Sequence, residues 1–348
     1  MSRFLQLHLL TFYPPSNLNR DDTGRPKTAR VGGQDRLRIS SQALKRAWRT
    51  SETFLDRVGA HRGERTQRLG EAVLMPHLRA KGVEEKKALE WVRLVLPFFG
   101  KPKSEEKNLA QTEQLVFVSP EEKARAIALL DRMAAGEKPE IKAEDLLLPS
   151  DTATDIAMFG RMLADRPEFN RDAAVQVAHA FTTHRAIVED DYYTAVDDLK
   201  GPEEDAGAGF IGELGFGSGV FYLYACVDRA LLLRNLGGNA ALAAMAQRAL
   251  TEAAAKEAPR GKQNSFAARA RAFYVLAEKG DDQPRTLAGA FARPVASGDV
   301  VTESIGVLRD FRFRMDAAYG MAPLASAEMD VVTGQGSLAA LLDFVQAE

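Results

Sequence analysis

The stretch Arg36-Leu-Arg-Ile-Ser-Ser-Gln-Ala-Leu-Lys-Arg-Ala-Trp-Arg49 carries five cations and no acid. Its spacing suits a grip on a run of phosphates. Arg36, Arg38 and Ser40 alternate with Leu37 and Ile39, the period of a strand with one buried face. Ser40 or Ser41 then suits a helix N-cap. At about 100° per residue, Gln42, Lys45, Arg46 and Arg49 share one arc of the helix, and Ala43, Leu44, Ala47 and Trp48 share the opposite arc. The helix start adds free N–H groups and a positive dipole end beside the strand arginines. The plain alternative is a solvated basic face. The one-signed charge weighs against it, because a solvated face usually mixes signs to gain i,i+4 pairs.

The elements that must position these residues belong to a chain of 348 residues, 45% apolar and 27% charged. That composition fits a globular protein of one large domain or two ordinary ones. One cysteine, Cys226, excludes a disulfide or a thiolate metal site within one chain. A reducing, cytoplasmic location is the expectation. The N-terminus is too polar for a signal peptide, and no apolar run reaches the length of a membrane span. Net charge is −2, which argues against indiscriminate nucleic-acid binding. The distribution is uneven: residues 1–50 hold ten Lys/Arg against three acids, a net +7, which leaves −9 on the remainder. A basic segment on an acidic body can bind a polyanion locally, or the acidic part of an identical neighbour.

Along the chain, Arg3 to Tyr13 reads as a strand and Pro14 to Gly33 as a loop. Residues from Phe54 to Glu144 read as an inserted helical subdomain, charged and punctuated by proline, without a chemistry-bearing motif. Asp155 to Met162 reads as a strand with a glycine near its end, and Ala174 to His184 as another. Residues from Ile187 to Phe216 are acidic and glycine-rich. Gly219 to Asp228 reads as a strand with Val220, Tyr222, Tyr224 and Cys226 on one side. An alanine-rich helix covers Ala240 to Lys256. Ala268 to Ala277 reads as a strand or short helix, and Leu287–Phe291, Thr302–Tyr319 and Leu338–Gln346 as helices. The order of elements predicts an α+β fold of the ferredoxin-like, RNA-recognition kind, a small mixed sheet with helices on one face.

Other motifs carry less. Gly207-Ala-Gly-Phe-Ile-Gly212 matches a dinucleotide fingerprint as a string, but it follows acids and precedes an aromatic strand rather than a helix. Glu189, Asp190, Asp191, Asp197 and Asp198 lack the histidine or strand-end acid that a two-metal nuclease needs. The histidines at 8, 61, 77, 179 and 184 are scattered, and His179 reads as a structural residue. No catalytic residue, metal or cofactor is expected.

Several segments resemble the CasC family, the backbone subunit of type I-E CRISPR Cascade surveillance complexes. They are Ser16-Asn-Leu-Asn-Arg-Asp-Asp22, Gly32-Gly33, the Arg36–Arg49 stretch, Asp155-Ile-Ala-Met-Phe-Gly-Arg-Met162 and Ala178-His-Ala-Phe-Thr-Thr-His184. Tyr192-Tyr-Thr-Ala-Val-Asp-Asp-Leu199, Ser218-Gly-Val-Phe-Tyr-Leu-Tyr224 and Asn235-Leu-Gly-Gly238 follow in family order. Residues 52–150 and the C-terminal part match only in texture.

The resemblance implies an RRM-like palm (1–53, 151–185 and 218–348), helical fingers (54–150) and a β-hairpin thumb (186–217). It implies a non-catalytic scaffold whose copies stack head to tail along a CRISPR RNA, an open heterologous assembly. Nucleotides would be flipped at regular intervals, and the guide would be presented to target DNA alongside other Cascade subunits. It implies phosphate contacts from Arg20, Ser40, Gln42, Lys45 and Arg49, helped by Arg38 and Arg46. Met162 beside Arg161 would wedge against bases, and Tyr193 and Thr194 would meet the flipped nucleotide. Lys262 and Gln263 are weaker phosphate candidates. The acidic stretch 189–205 is expected to face the basic surface of the next copy. A guide-processing endoribonuclease and a self-assembling RNA-binding protein outside CRISPR immunity are the competing readings.

Overall fold

The computed structural model describes residues 2–195, 210–296, 298–321 and 324–347. The chain divides into two compact units. The first comprises residues 1–54, 177–226 and 248–348, and the second 55–176 and 227–247.

The first unit is built on one sheet. Its strands, numbered along the chain, are β1 (Phe4–Ser16), β2 (Thr28–Val31), β3 (Gln34–Ile39), β4 (Ala180–Thr182), β5 (Glu189–Ala195), β6 (Phe210–Asp228), β7 (Ala272–Gly280) and β8 (Ala325–Asp330). They lie in the order β8-β7-β1-β6-β4-β3-β2, and β5 pairs with β6. The pairs β1–β7, β7–β8, β2–β3, β3–β4, β4–β6 and β5–β6 are antiparallel. Helix α1 (Ser41–Arg49) follows β3, and the helix Ala240–Lys256 lies between β6 and β7 in the chain.

Alternation explains the packing. In β1, Leu5, Leu7 and Leu9 point one way and Gln6, His8 and Leu10 the other, and all are buried. Both faces of the sheet's centre are therefore covered, not one as the sequence suggested. On the second face Leu10, Val220, Tyr222, Tyr224, Cys226, Tyr274 and Leu276 pack with Ile305 and Leu308 of the helix Val300–Ala318. Polar groups share this face. His8 Nδ1 lies 2.9 Å from the Tyr222 hydroxyl, and His8 Nε2 lies 3.2 Å from Glu278. Arg285 and Arg312 neutralise Glu278 from the other side.

Several expected elements change. Part of the expected loop is β2, which pairs with β3 from Thr28↔Leu37 to Val31↔Gln34. The run from Ala174 to His184 forms two short strands, Val175–Val177 and Ala180–Thr182. The strand expected from Gly219 begins at Phe210, and of the two readings of Ala268–Ala277, strand or short helix, the strand holds, as β7.

The second unit is mostly helical. The helices Glu85–Phe99 and Pro120–Ala134 bring Val92, Leu96, Ala126 and Leu130 into a core with Leu74 and Leu78. Ser119 and Glu122 form a capping box at the start of the second helix. Residues 154–159 form a helix (Thr154–Phe159), not the strand read from the sequence. A short apolar run has no period long enough to separate the two. Leu163 and Phe169 join this core, and residues 151–176 fall in the helical unit.

Candidate nucleic-acid interface

Helix α1 forms as its pattern requires. The Ser40 hydroxyl accepts the Ala43 N–H at 3.3 Å, and Leu44, Ala47 and Trp48 are buried. Gln42 and Arg46 are exposed, and Lys45 and Arg49 are half-buried. Partial burial pushes the Lys45 ammonium below the usual lysine range, because desolvation penalises the charged form. Ser40 itself is 6% exposed, its side chain given to the cap, so it lies behind this surface rather than on it.

The two strand arginines part company. Arg36 is fully buried, and its guanidinium donates to Thr182 O at 2.6 Å and Phe291 O at 3.0 Å. It ties β3 to β4 and is not open to a phosphate. Arg38 stays half-buried, with Nε donating to Thr28 O at 3.3 Å. Its Nη1 lies 3.1 Å from His179 Nδ1, which also accepts the Ser41 N–H at 3.3 Å. Burial, then the charges of Arg38 and Lys27, hold the His179 imidazole below its ordinary range. A neutral ring at the head of α1 thus orients a cation. His179 and Lys27, which shares a cleft with Arg38 and Asn19, belong to this surface by position. The sequence signalled neither, since each looks like an isolated polar residue.

The loop that carries Arg20 is a fixed turn. The Asp21 carboxylate accepts from Thr23 N, Thr23 Oγ1 and Arg25 N, and Asn19 Oδ1 accepts the Ser40 N–H at 2.8 Å. This joins the turn to the cap of α1. The Thr23 hydroxyl, then backbone N–H groups, lower the Asp21 pKa. Arg20 and Lys262 are exposed and line one cavity of about 510 Å³ with Arg25, Glu213 and Gly215. Lys262 has a left-handed φ of 50°. Gln263 donates to Pro259 O at 3.0 Å, so its amide shapes this loop.

Two paired strands lie within the stretch read as a hairpin thumb. β5 and β6 pair from Glu189↔Phe216 to Ala195↔Phe210, with Tyr193 opposite Gly212. Thr194 is exposed and Tyr193 is 45% exposed. A Cβ at Gly212 would fall 2.4 Å from Tyr193 Cζ, so glycine lets the ring lie across the partner strand. Asp190 meets Arg25 of the same chain at 2.8 Å. Both side chains of this pair are exposed. Residues 196–205 of the acidic stretch lie outside the described residues.

In the second unit Met162 is 84% exposed on a well-held turn. Gly160 has φ 78°, and a Cβ there would lie 2.9 Å from Arg171 O. Arg161 and Arg171 exchange backbone hydrogen bonds in both directions. The Arg161 side chain is buried against Glu122 and also bonds Phe117 O, Leu148 O and Phe169 O. This corrects the expectation that Arg161 contacts RNA: its donors are spent inside the unit.

The comparisons with known proteins agree over nearly the whole chain. A family model described as CT1975-like protein, a Cas family, matches residues 5–342, and the chain belongs to that family. It is similar to a chain from a structure described as "CRISPR RNA-guided surveillance complex, pre-nicking", with 30% identity and a TM-score of 0.84. That match covers 97% of this chain and 95% of the other. A second, from a "CRISPR RNA-guided surveillance complex", has 26% identity and a TM-score of 0.73, covering 97% and 94%. No curated protein matches the chain. Among the described residues no helix is long and apolar enough to cross a membrane.

Proposed function

We propose that the chain is a non-catalytic backbone subunit of a CRISPR surveillance complex, of the CasC kind found in type I-E Cascade. Copies would stack head to tail along a CRISPR RNA in the cytoplasm, with other Cascade subunits, and would offer the guide to target DNA. The observation that carries this reading is the acid-free face of α1, on a chain similar over 97% of its length to a subunit of an RNA-guided complex. Exposed Gln42, Arg46, Arg20 and Lys262 offer donors to phosphates without a pocket for one base. Phosphate contacts fix position and leave sequence to base pairing.

The sheet order β7-β1-β6-β4, with α1 between β1 and β4 in the chain, after the β2–β3 excursion, and the helix Ala240–Lys256 between β6 and β7, is what an RRM-like palm would have. The β5–β6 ribbon, with Tyr193 and Thr194 on it, would serve as the thumb that flips a nucleotide. Exposed Met162 would lie on a base face, which an unbranched thioether can do for any base.

Sequence independence provides the test. The complete complex, loaded with guides of unrelated sequence, should hold each with affinities within about threefold, and salt should weaken all alike. RNA cleavage by the isolated chain, or retention of one sequence only, would overturn the reading.

A further inference from the structure

The end of β1 leads into Asn17, which is fully buried. Its side chain joins two parts of the surface that RNA would touch separately. Nδ2 donates to Gly24 O at 2.9 Å, in the turn that carries Arg20. It also donates to Gly215 O at 2.9 Å, in β6 at the root of the hairpin. Both neighbours are carbonyl oxygens, which accept and never donate, so they fix which way the amide points. Both N–H groups of one carboxamide are therefore used, one for each element.

Three further contacts close the same junction. Arg25 Nη1 meets Asp190 Oδ1 at 2.8 Å, which ties the turn to β5. A Cβ at Gly215 would lie 3.1 Å from Pro26 Cδ and 3.2 Å from Val188 Cγ1, so turn and hairpin root are in close contact. Asn19 Oδ1 holds the Ser40 N–H at the cap of α1. A buried N–H that loses its acceptor costs free energy that water cannot return. Parting the turn from the hairpin root would therefore cost the Asn17 hydrogen bonds.

We propose that Asn17 is a positioning residue that couples the phosphate-binding turn to the hairpin, so that RNA seated at Arg20 and Lys262 fixes the hairpin's angle. This rests on the guide-scaffold reading above and adds the part that sets the regularity of nucleotide flipping. Asn17 itself touches no RNA. Its work is to keep the Arg20 turn and the ribbon bearing Tyr193 in one fixed relation.

The experiment uses the complete complex on a CRISPR RNA, with wild type, Asn17→Leu, Asn17→Ser and Gly215→Val. The readouts are multimer mass and the pattern of unstacked guide nucleotides by base-selective chemical modification. Gly215→Val wedges the same junction open while leaving the Asn17 side chain itself intact, and Asn17→Ser covers the case in which the leucine variant does not fold. Wild type should give a multimer with regularly spaced reactive nucleotides. The variants should keep the multimer and lose contrast between reactive and protected positions by about fivefold. Variants that melt earlier yet keep the full pattern would overturn the proposal, because Asn17 would then only stabilise the fold. A wild-type chain that forms no multimer on RNA would instead overturn the scaffold reading beneath it.

Discussion

Arg161 and Glu122 form an ion pair whose side chains are 1% and 0% exposed, while the residue next to Arg161 is the most open large apolar side chain among those described. One turn thus buries a charge and displays a thioether. Glu122 caps its helix through Ser119 N and also accepts the Leu148 N–H at 3.0 Å. The pair therefore holds three segments beneath Met162.

Breaking this pair leaves a buried charge without a partner, the costly case for ionic groups. Arg161→Ala should lower unfolding free energy by about 3–5 kcal/mol. Urea denaturation of the free chain measures it. A loss similar to that of an exposed arginine would show that the pair does not hold the turn.

Met162 should behave oppositely. At 84% exposure its truncation removes little packing. Met162→Ala should change stability by less than about 0.5 kcal/mol. It should weaken retention of RNA by about 1–3 kcal/mol per lost stacking contact. Unchanged RNA retention would make Met162 an idle surface residue.

The hairpin supports a steric prediction. Gly212→Ala puts a methyl group where the Tyr193 ring lies, so the ring must swing off the ribbon. Gly212→Ala and Tyr193→Ala should therefore weaken RNA retention alike, by about 1–3 kcal/mol. Competition binding at fixed salt reads both. A normal Gly212→Ala variant would show that the ring's place on the ribbon does not matter.

Acid should destabilise the sheet unit in two stages. Burial holds the His8 imidazole below its ordinary range, against the opposing pull of Glu278. Burial alone would raise Glu278, but His8 and Arg285 hold its carboxyl down to about 2. Both folded values lie below those of the unfolded chain, which takes up protons first. Stability present at neutral pH is lost as pH falls below about 6.5 for His8, and again from about 4.5 toward 2 for Glu278. His179 and His184 shift in the same direction. The urea midpoint should be level above pH 7 and decline below 6.5, and His8→Gln should reduce that first decline. A midpoint that rises on acidification contradicts the arrangement.

Residues whose role depends on neighbours close in the chain could be read from the sequence. Helix α1 was legible because cap, apolar arc and cationic arc all lie within ten residues. The β5–β6 pairing lies in the stretch read as a thumb, but its register was not legible. Arg36 misled because its alternation matches Arg38, and its two carbonyl acceptors lie 146 and 255 residues away. Arg161 misled for the same reason: Glu122 is 39 residues distant and gave no local sign of a buried pair. The Thr154–Phe159 helix is too short for a period, and β2 is a four-residue edge strand inside a turn-rich stretch. Asn17 looked like any loop asparagine until its two carbonyl partners came together.

The central claim is that α1 holds the phosphates of a guide along which copies assemble. Native mass spectrometry of the complex, co-expressed with a CRISPR RNA, tests it most directly when wild type is compared with Lys45→Glu/Arg46→Glu. The account predicts one RNA with several copies of this chain in wild type, and neither RNA nor multimer in the charge-reversed protein. A charge-reversed protein that carries RNA and copies as the wild type does would contradict it.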